Sequence, residues 1–219
     1  MSAPSRQVEV EWQFVARDVD VFGRWVLRAR FDDGAWSVSP AEVLRLRDAY
    51  FDTADWRLWR AGYALRVRRA GARVEATLKA LGHAQSGVVR RREITERLGD
   101  ARLGSLRAAR GAVGTRLRRV VGERALGRLF TLQTRRRTFL VCRAGRALAE
   151  LALDRTQIVT PRGRLHRLQR VEVEVGAGPP ALVARFVATL RRARHLKTAG
   201  GSKFEAGLAA AGAAPPRRC

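Results

Sequence analysis

Five stretches of this sequence place ionisable residues of one sign two or four positions apart, within segments that are otherwise apolar and rich in β-branched residues. The pairs are Glu9 and Glu11, Arg66 and Arg68, Arg135 and Arg137, Glu150 and Asp154, and Glu172 and Glu174. Because alternate side chains of a strand point to opposite faces, each stretch is predicted to form a strand with one charged and one apolar face. Such strands constrain the chain to a sheet that gathers charge on one side.

The two signs of charge indicate two kinds of ligand. Pairs of carboxylates supply the hard oxygen donors that Mg²⁺ or Mn²⁺ prefers. Pairs of arginines supply forked donors that match the oxygens of phosphate groups. Together the pairs predict a metal and phosphate site lined by strands.

The basic residues of the chain favour an anionic partner. The formal net charge is +24, which suits polyphosphate, a nucleotide, nucleic acid or a membrane surface. Of the 44 basic residues only Lys79, Lys197 and Lys203 are lysines. Where arginine is the default base, a retained lysine indicates a position that needs a compact charge, so Lys79 and Lys203 become candidates for phosphate contacts. The alternative is that they are ordinary surface lysines.

Other features narrow the class of protein. Cys142 and Cys219 form neither a disulfide framework nor a zinc cluster. The N-terminus lacks the apolar core of a signal peptide, and no apolar run approaches the roughly 20 residues that span a bilayer. The arginines at 116 to 119 have no interleaved aromatic residues and are interpreted as a solvated helix face. We therefore expect a cytoplasmic protein without membrane or nucleic-acid partners.

The order of patterns along the chain predicts an α+β, mainly β, fold. Strands are expected at 8–16, 41–51, 63–69, 72–79, 88–96, 131–143, 147–159 and 165–175. Helices are expected at 19–30, at 52–62 and from Pro179 to about Arg194, with 102–110 and 115–129 helical or irregular. Charged inner faces and apolar outer faces favour a closed barrel with helices packed outside, since closure removes exposed edges. One domain at 7–208 is expected, followed by a disordered tail at 209–219.

Short motifs in a fixed order resemble those of the CYTH domain, or triphosphate tunnel metalloenzyme, family. VEVEWQF at 8–14 resembles the ExExK opening of the family, and YFDT at 50–53 with LRVR at 65–68 resembles its YFDT and LRVR block. The later matches are TLK at 77–79, RRE at 91–93, ELALD at 150–154, VEVE at 171–174 and SKFEAG at 202–207. The matches span almost the whole chain.

This resemblance implies an eight-stranded antiparallel tunnel that acts on triphosphates with a divalent metal, Mg²⁺ or Mn²⁺. The implied metal ligands are Glu9, Glu11, Glu150, Asp154, Glu172 and Glu174. The implied phosphate-binding residues are Arg66, Arg68, Lys79, Arg91, Arg135, Arg137 and Lys203. Catalytic roles are expected for Glu9, Glu11, Lys79 and Asp154, with one of these carboxylates orienting the attacking water.

One position departs from the family pattern. Where the ExExK motif has its lysine, this chain has Gln13. Glutamine can donate a hydrogen bond but carries no charge, so a cation that would face the phosphate is missing. The sequence thus predicts metal-dependent hydrolysis of inorganic tripolyphosphate or a related organic triphosphate. The alternative is a module that binds polyphosphate without hydrolysing it.

Overall fold

A single antiparallel sheet dominates the computed structural model, which describes residues 6–82 and 88–217. Its strands are β1 (Arg6–Val15), β2 (Trp36–Thr53), β3 (Tyr63–Ala70), β4 (Arg73–Ala80), β5 (Val88–Leu98), β6 (Leu126–Arg143), β7 (Arg146–Val159), β8 (Leu165–Val175) and β9 (Lys197–Thr198). The strand order is β5-β4-β3-β2-β6-β7-β8-β1-β9, and β5 also pairs with β1. Strands β1 to β8 therefore close into a barrel, which confirms the predicted fold, and β9 adds to the edge of β1.

Tight turns join the hairpins of this barrel. Between β6 and β7, Ala144 and Gly145 both have positive φ, at 47° and 73°. Two consecutive residues of this kind suit the two-residue turns whose twist matches that of a hairpin. The turn fixes the register that places Arg136 opposite Asp154.

The helices cover the apolar outer face of the barrel at two places. They are α1 (Val19–Val26), α2 (Arg57–Arg60), α3 (Leu103–Ala108), α4 (Ala112–Val121), α5 (Pro180–Arg194) and α6 (Lys203–Ala211). One core joins α1 and α5 to the outer side of β1, β7 and β8, around Phe22, Phe186 and Val173. The other joins α3 and α4 to β3 and β4, around Leu65 and Leu117. Each such side chain contributes about 1.5–3 kcal/mol by burial against a helix, which keeps the apolar face of these strands on the outside of the barrel. The opposite face of the same strands points into the barrel and carries the charged groups.

Helix α6 closes one mouth of the barrel rather than lying on its outside. Its Phe204 and Leu208 pack with Tyr50 and Phe130, and the rings of the latter two stack at a centroid distance of 4.9 Å. The helix begins at a capping box in which Ser202 and Glu205 bond each other's backbone N–H groups. This cap and the apolar contacts carry the helix to Ala211, so the segment expected to be a disordered tail begins as helix. Residues 218–219 lie outside the described part of the chain.

Several element bounds differ from the sequence prediction. Strand β2 begins at Trp36 and passes Pro40, because a shift in register between Pro40 and Val43 absorbs the missing donor. The segment predicted as helix 52–62 holds only α2, since β2 continues to Thr53. No helix among residues 6–82 and 88–217 is long and apolar enough to cross a membrane.

Candidate functional site

One interior wall of the barrel carries carboxylates from three neighbouring strands. Glu11 of β1 lies directly opposite Glu174 of β8, and Glu174 lies opposite Glu150 of β7. The strand registers thus assemble three carboxylates, which we call the carboxylate row: Glu11, Glu174 and Glu150. In the sequence these residues belong to three different pairs. Directly opposed like charges repel each other, so such a row is costly unless a cation or protons neutralise it.

Burial, and to a lesser extent the charges of nearby carboxylates, raise the pKa values of the carboxylate row. Burial, helped by the charges of Glu172 and Glu9, raises the pKa of Glu11 to about 7. Burial and the charge of Glu9 raise the pKa of Glu174 to about 7 as well. The pKa of Glu150 is also raised, mainly by burial. The row therefore holds protons at a pH where ordinary carboxyl groups have lost them.

Facing this row, β3, β4 and β5 bring basic side chains into the interior. Lys79 contacts the carboxylates of both Glu9, at 3.2 Å, and Glu93. Burial alone would raise the pKa of Glu9, but Lys79, Glu93 and Arg66 together outweigh it and lower that pKa to about 2. Arg66 donates only a long hydrogen bond, 3.4 Å, to the hydroxyl of Thr77, and its buried Nε has no partner among the described residues. Unlike Lys79, Arg66 retains donors for a ligand.

Two further arginines on this side differ in how firmly they are held. Arg68 donates two hydrogen bonds of 2.7 Å to the buried carboxylate of Asp48, which lies directly opposite it on β2. Arg91 lies opposite Glu9, and its guanidinium is 3.9 Å from Glu11. The structure thus places Arg91, rather than its exposed neighbours Arg90 and Arg92, in the interior.

A compact cluster of two acids and two bases occupies the next part of the interior. Arg136 donates two hydrogen bonds to Asp154, of 2.8 and 2.7 Å, and one of 2.6 Å to Glu172. Lys203, on the first turn of α6, donates to the same two carboxylates at 2.5 Å. Burial opposes the ionised form of Asp154, yet Lys203 and Arg136 hold its pKa well below the usual range. The cluster is neutral as a whole.

The prediction that Arg135 and Arg137 face the tunnel is wrong. Arg135 is exposed, and Arg137 lies on the outer face, where it donates to the carbonyl of Val19 at 2.8 Å and pairs with Asp20. Three consecutive arginines carry no signal of which face each occupies, and the register with β7 places Arg136 inside. The physical reason is the two-residue period of a strand, since an error of one position exchanges the faces.

Sequence reasoning also assigned no role to Asp48 or Glu93, both of which contact interior bases. Glu93 lies two residues after Arg91 in a strand, and this spacing already places both on one face. Asp48 could be found only by pairing β2 with β3, because the residues two positions away on the same face, Leu46 and Tyr50, carry no charge. The other predicted interior residues, Glu9, Glu11, Arg66, Arg68, Lys79, Arg91, Glu150, Glu172, Glu174 and Lys203, all line one cavity of about 130 Å³.

A second cavity lies beside Gln13. The side chain of Gln13 is buried and donates a hydrogen bond of 2.6 Å to Glu11. Gln13, Arg91 and Ser202 also line this second cavity of about 440 Å³, whose other residues include Gly82, Thr198 and Gly201. Small and uncharged groups dominate the second cavity, so the charged compartment adjoins a larger and nearly neutral one.

The donor set of the carboxylate row fits a divalent cation. Neither Glu150 nor Glu174 forms an ion pair with any described residue. Glu11 has one long ion pair, in which its carboxylate lies 3.9 Å from the guanidinium of Arg91. Their oxygens are hard ligands of the kind that Mg²⁺ and Mn²⁺ take. In the described part of the chain, however, no three acidic, histidine or cysteine side chains are already gathered around one point as metal ligands. Binding would require these carboxylates to turn toward each other.

Fold and site together define a β-tunnel whose interior carries opposed acidic and basic side chains. The model of the CYTH domain matches residues 9–208, and the chain belongs to this family. No curated protein sequence matches it.

Solved structures show the same fold at low sequence identity. A putative adenylyl cyclase from Hippeastrum is 17% identical, with a TM-score of 0.65 over 92% of this chain and 95% of that one. A putative adenylate cyclase from Bacillus halodurans is 19% identical, with a TM-score of 0.60 over 90% of this chain and 95% of the other. At such identities the likeness concerns the fold.

Proposed function

We propose that this protein hydrolyses a triphosphate, either inorganic tripolyphosphate or a related organic triphosphate, inside the tunnel with the help of Mg²⁺ or Mn²⁺. The observation that carries the proposal is the opposition, across one cavity, of the carboxylate row and a set of arginine and lysine side chains. Membership of the CYTH family supports it. So does the Hippeastrum structure, which is described as revealing a dominant triphosphatase activity.

The basic residues would bind the phosphate oxygens. Arg66 is ready to do so, because its guanidinium has donors without partners in the described part of the chain. Lys79 and Lys203 would instead exchange a carboxylate for a phosphate oxygen, keeping a charged partner throughout. Phosphoryl transfer needs mainly positioning and charge neutralisation, which these groups supply.

The carboxylates would divide the remaining tasks. Glu11, Glu150 and Glu174 would hold the divalent ion, which when bound neutralises phosphate charge. Of the carboxylates expected to orient water, Glu9 and Asp154 are held by bases at low pKa, whereas the pKa of Glu11 is raised to about 7. Without metal, Glu11 is thus the one of these carboxylates least engaged with a base. Because a bound cation would lower its pKa, Glu11 would orient the attacking water rather than take its proton.

The second cavity leaves the identity of the substrate's end group open. Inorganic tripolyphosphate would fill the charged compartment alone, whereas an organic triphosphate would extend past Gln13 into the larger space. A binding module without turnover is the second candidate, and Gln13 is the observation that favours it. Its amide lies where the family motif has a lysine, and it is engaged with Glu11.

The test compares two arginines of β3 that lie on opposite faces. Arg66→Gln removes an interior donor, and Arg69→Gln makes the same change on the exposed outer face. Release of phosphate from tripolyphosphate, nucleoside triphosphates and thiamine triphosphate is measured with and without Mg²⁺ or Mn²⁺, and binding is measured by calorimetry. We expect metal-dependent release, and a loss of about 1–3 kcal/mol in tripolyphosphate binding for Arg66→Gln alone. Equal losses in both variants would refute a tunnel site, and binding without release would favour the non-catalytic module.

A further inference from the structure

A part of the outer barrel surface that none of the described helices covers carries a grid of arginine and glutamine side chains. We call this surface the arginine face, and it consists of Arg45, Arg47, Gln133, Arg135, Gln157 and Arg167, all of them exposed. The registers set them side by side on four strands. Arg45 lies opposite Arg135, Arg47 lies opposite Gln133, and Gln157 lies between Gln133 and Arg167.

The arginines of this face have no acidic partners among the residues that the structure describes. None of Arg45, Arg47, Arg135 and Arg167 forms an ion pair within the described ranges 6–82 and 88–217. Arg155, the neighbour of Arg135 on β7, differs because it pairs with Asp20, and we leave it outside the face. Like charges placed directly opposite each other on a sheet destabilise the fold. The direct opposition of Arg45 and Arg135 therefore costs stability without an internal compensation.

We propose that the arginine face binds the phosphodiester backbone of duplex nucleic acid. This differs from the expectation from sequence of no nucleic-acid partner, because the residues of the face lie on separate strands and come together only through the strand registers. Arginine forks and glutamine amides are both donors to phosphate oxygens, and the net charge of +24 adds long-range attraction to a polyanion. This site is separate from the tunnel, because the side chains of the face point outward from strands whose inward residues, such as Asp48 and Arg136, line the interior.

The shape of the face selects a duplex over other polyanions. It contains no aromatic side chain on which the bases of a single strand could stack. Two exposed apolar side chains border it, Val43 on β2 and Leu165 on β8, but they lie at opposite ends of the face and form no contiguous apolar patch for a bilayer. From Arg47 on β2 to Arg167 on β8 are three strand spacings, about 14 Å at ~4.8 Å each, which exceeds the ~6 Å width of a minor groove. The outer arginines can thus reach phosphates of both strands, while the glutamines lie between.

The experiment uses the full chain and a labelled random-sequence duplex, with binding followed by fluorescence anisotropy over a range of salt concentrations. The test variant is Arg45→Gln with Arg135→Gln, and the matched control is Arg191→Gln with Arg192→Gln, which removes the same charge from two exposed positions near the end of α5. We expect the test variant to lose at least tenfold in affinity and about two units of salt slope. A second test pair, Arg47→Gln with Arg167→Gln, should behave in the same way, and the control should change little.

Two further readouts decide the outcome. Thermal unfolding should show the Arg45/Arg135 variant to be at least as stable as the parent, because the substitution relieves repulsion, so a loss of binding will not reflect unfolding. Equal losses in test and control variants, or no measurable binding by the parent, would overturn the proposal. Tighter binding of single strands, or of vesicles containing anionic lipid, than of the duplex would overturn it as well.

Discussion

Glu172 and Glu174 lie two residues apart on the same face of β8, yet their surroundings are opposite. Glu172 is bound by Arg136 and Lys203, whereas Glu174 faces two other carboxylates of the row. From sequence alone the two residues form one equivalent pair. The strand registers and the position of α6 distinguish them. They make Glu172 part of a structural ion pair and Glu174 a candidate metal ligand.

Glutamine substitutions should therefore have opposite effects on stability without metal. Glu172→Gln removes charge-assisted hydrogen bonds and should lower the free energy of unfolding by about 2–3 kcal/mol. Glu174→Gln removes a repelled charge and should raise the free energy of unfolding or leave it unchanged. Urea unfolding of both variants in metal-free buffer measures this difference. Equal destabilisation by the two substitutions would show that Glu174 has a cationic partner.

The pH dependence of stability follows from the same carboxylates. The folded pKa of Glu174 is about 7, above its ordinary value of 4.5, so protons are bound more tightly in the folded state. The contribution of this group to stability is then fully present below pH 4.5 and is lost as the pH rises through 7. We expect melting temperatures of the metal-free parent to fall between these values, and Glu174→Gln to reduce that fall. An unchanged slope in the variant would contradict the raised pKa.

We expect the proposed turnover to depend on the residue at position 13. Gln13 lies opposite Glu172 and bonds Glu11, so a lysine here would stand between Glu172 and Glu11, whose pKa is raised by burial and by the charge of Glu172. If the missing cation limits the rate, Gln13→Lys should increase phosphate release about tenfold, equivalent to about 1.4 kcal/mol of transition-state stabilisation. It should also shift the acidic limb of the pH profile to lower pH. If the parent already releases phosphate rapidly and Gln13→Lys does not increase the rate, another base, such as Lys203, supplies the charge that the motif lysine would supply.

Helix α6 is the element that links the fold to the site. Its first residue, Lys203, reaches the Asp154 and Glu172 cluster, and a Cβ at Gly207 would lie 2.1 Å from the ring of Phe130. Gly207→Ala should therefore displace the helix, lower stability by about 1–3 kcal/mol and weaken tripolyphosphate binding through Lys203. Gly104→Ala in α3 is the control, since a Cβ there meets nothing within 4 Å. It should be neutral or stabilising by up to about 1 kcal/mol. Unaltered binding by Gly207→Ala, measured by calorimetry, would show that α6 does not position Lys203.

The elements differ in how far sequence could predict them. Alternation alone found the strands that contain Glu9, Arg66 and Glu172, because a charged face and an apolar face give a clear period of two. In β6 alternation predicted the wrong inward residues, because three consecutive arginines, Arg135 to Arg137, define no period. In β2 it predicted too late a start, because Pro40 is typical of a strand boundary. It gave no indication that α6 enters the mouth of the barrel, since this depends on the contact of Phe204 with Tyr50, far apart in sequence.

At the scale of the whole molecule, the tunnel pairs most of its own charges in the absence of ligand. Lys79 binds Glu9 and Glu93, Lys203 binds Asp154 and Glu172, and Arg68 binds Asp48. A triphosphate entering alone would have to displace carboxylates from these bases and would meet the uncompensated charge of the carboxylate row. A cation entering alone would bind that row without help from Glu9 and Glu172, which the bases hold. Either ligand is thus opposed by contacts that the other would release.

This arrangement predicts that metal and triphosphate bind with positive coupling. A cation held by the carboxylate row should lessen the negative charge that opposes the triphosphate, and the triphosphate should release Glu9 and Glu172 from their bases toward the cation. We expect Mg²⁺ or Mn²⁺ to increase tripolyphosphate affinity by about 5–150-fold, and tripolyphosphate to increase the affinity for metal by the same factor, as linkage requires. Calorimetric titrations of a hydrolysis-resistant triphosphate analogue, in each order of addition, measure both factors after correction for the metal that the free analogue binds. Arg69→Gln, on the outer face, should keep the coupling, whereas Lys79→Met should reduce it because Glu9 is then free without a triphosphate. Independent binding of the two ligands in the parent would show that the internal ion pairs do not compete with them.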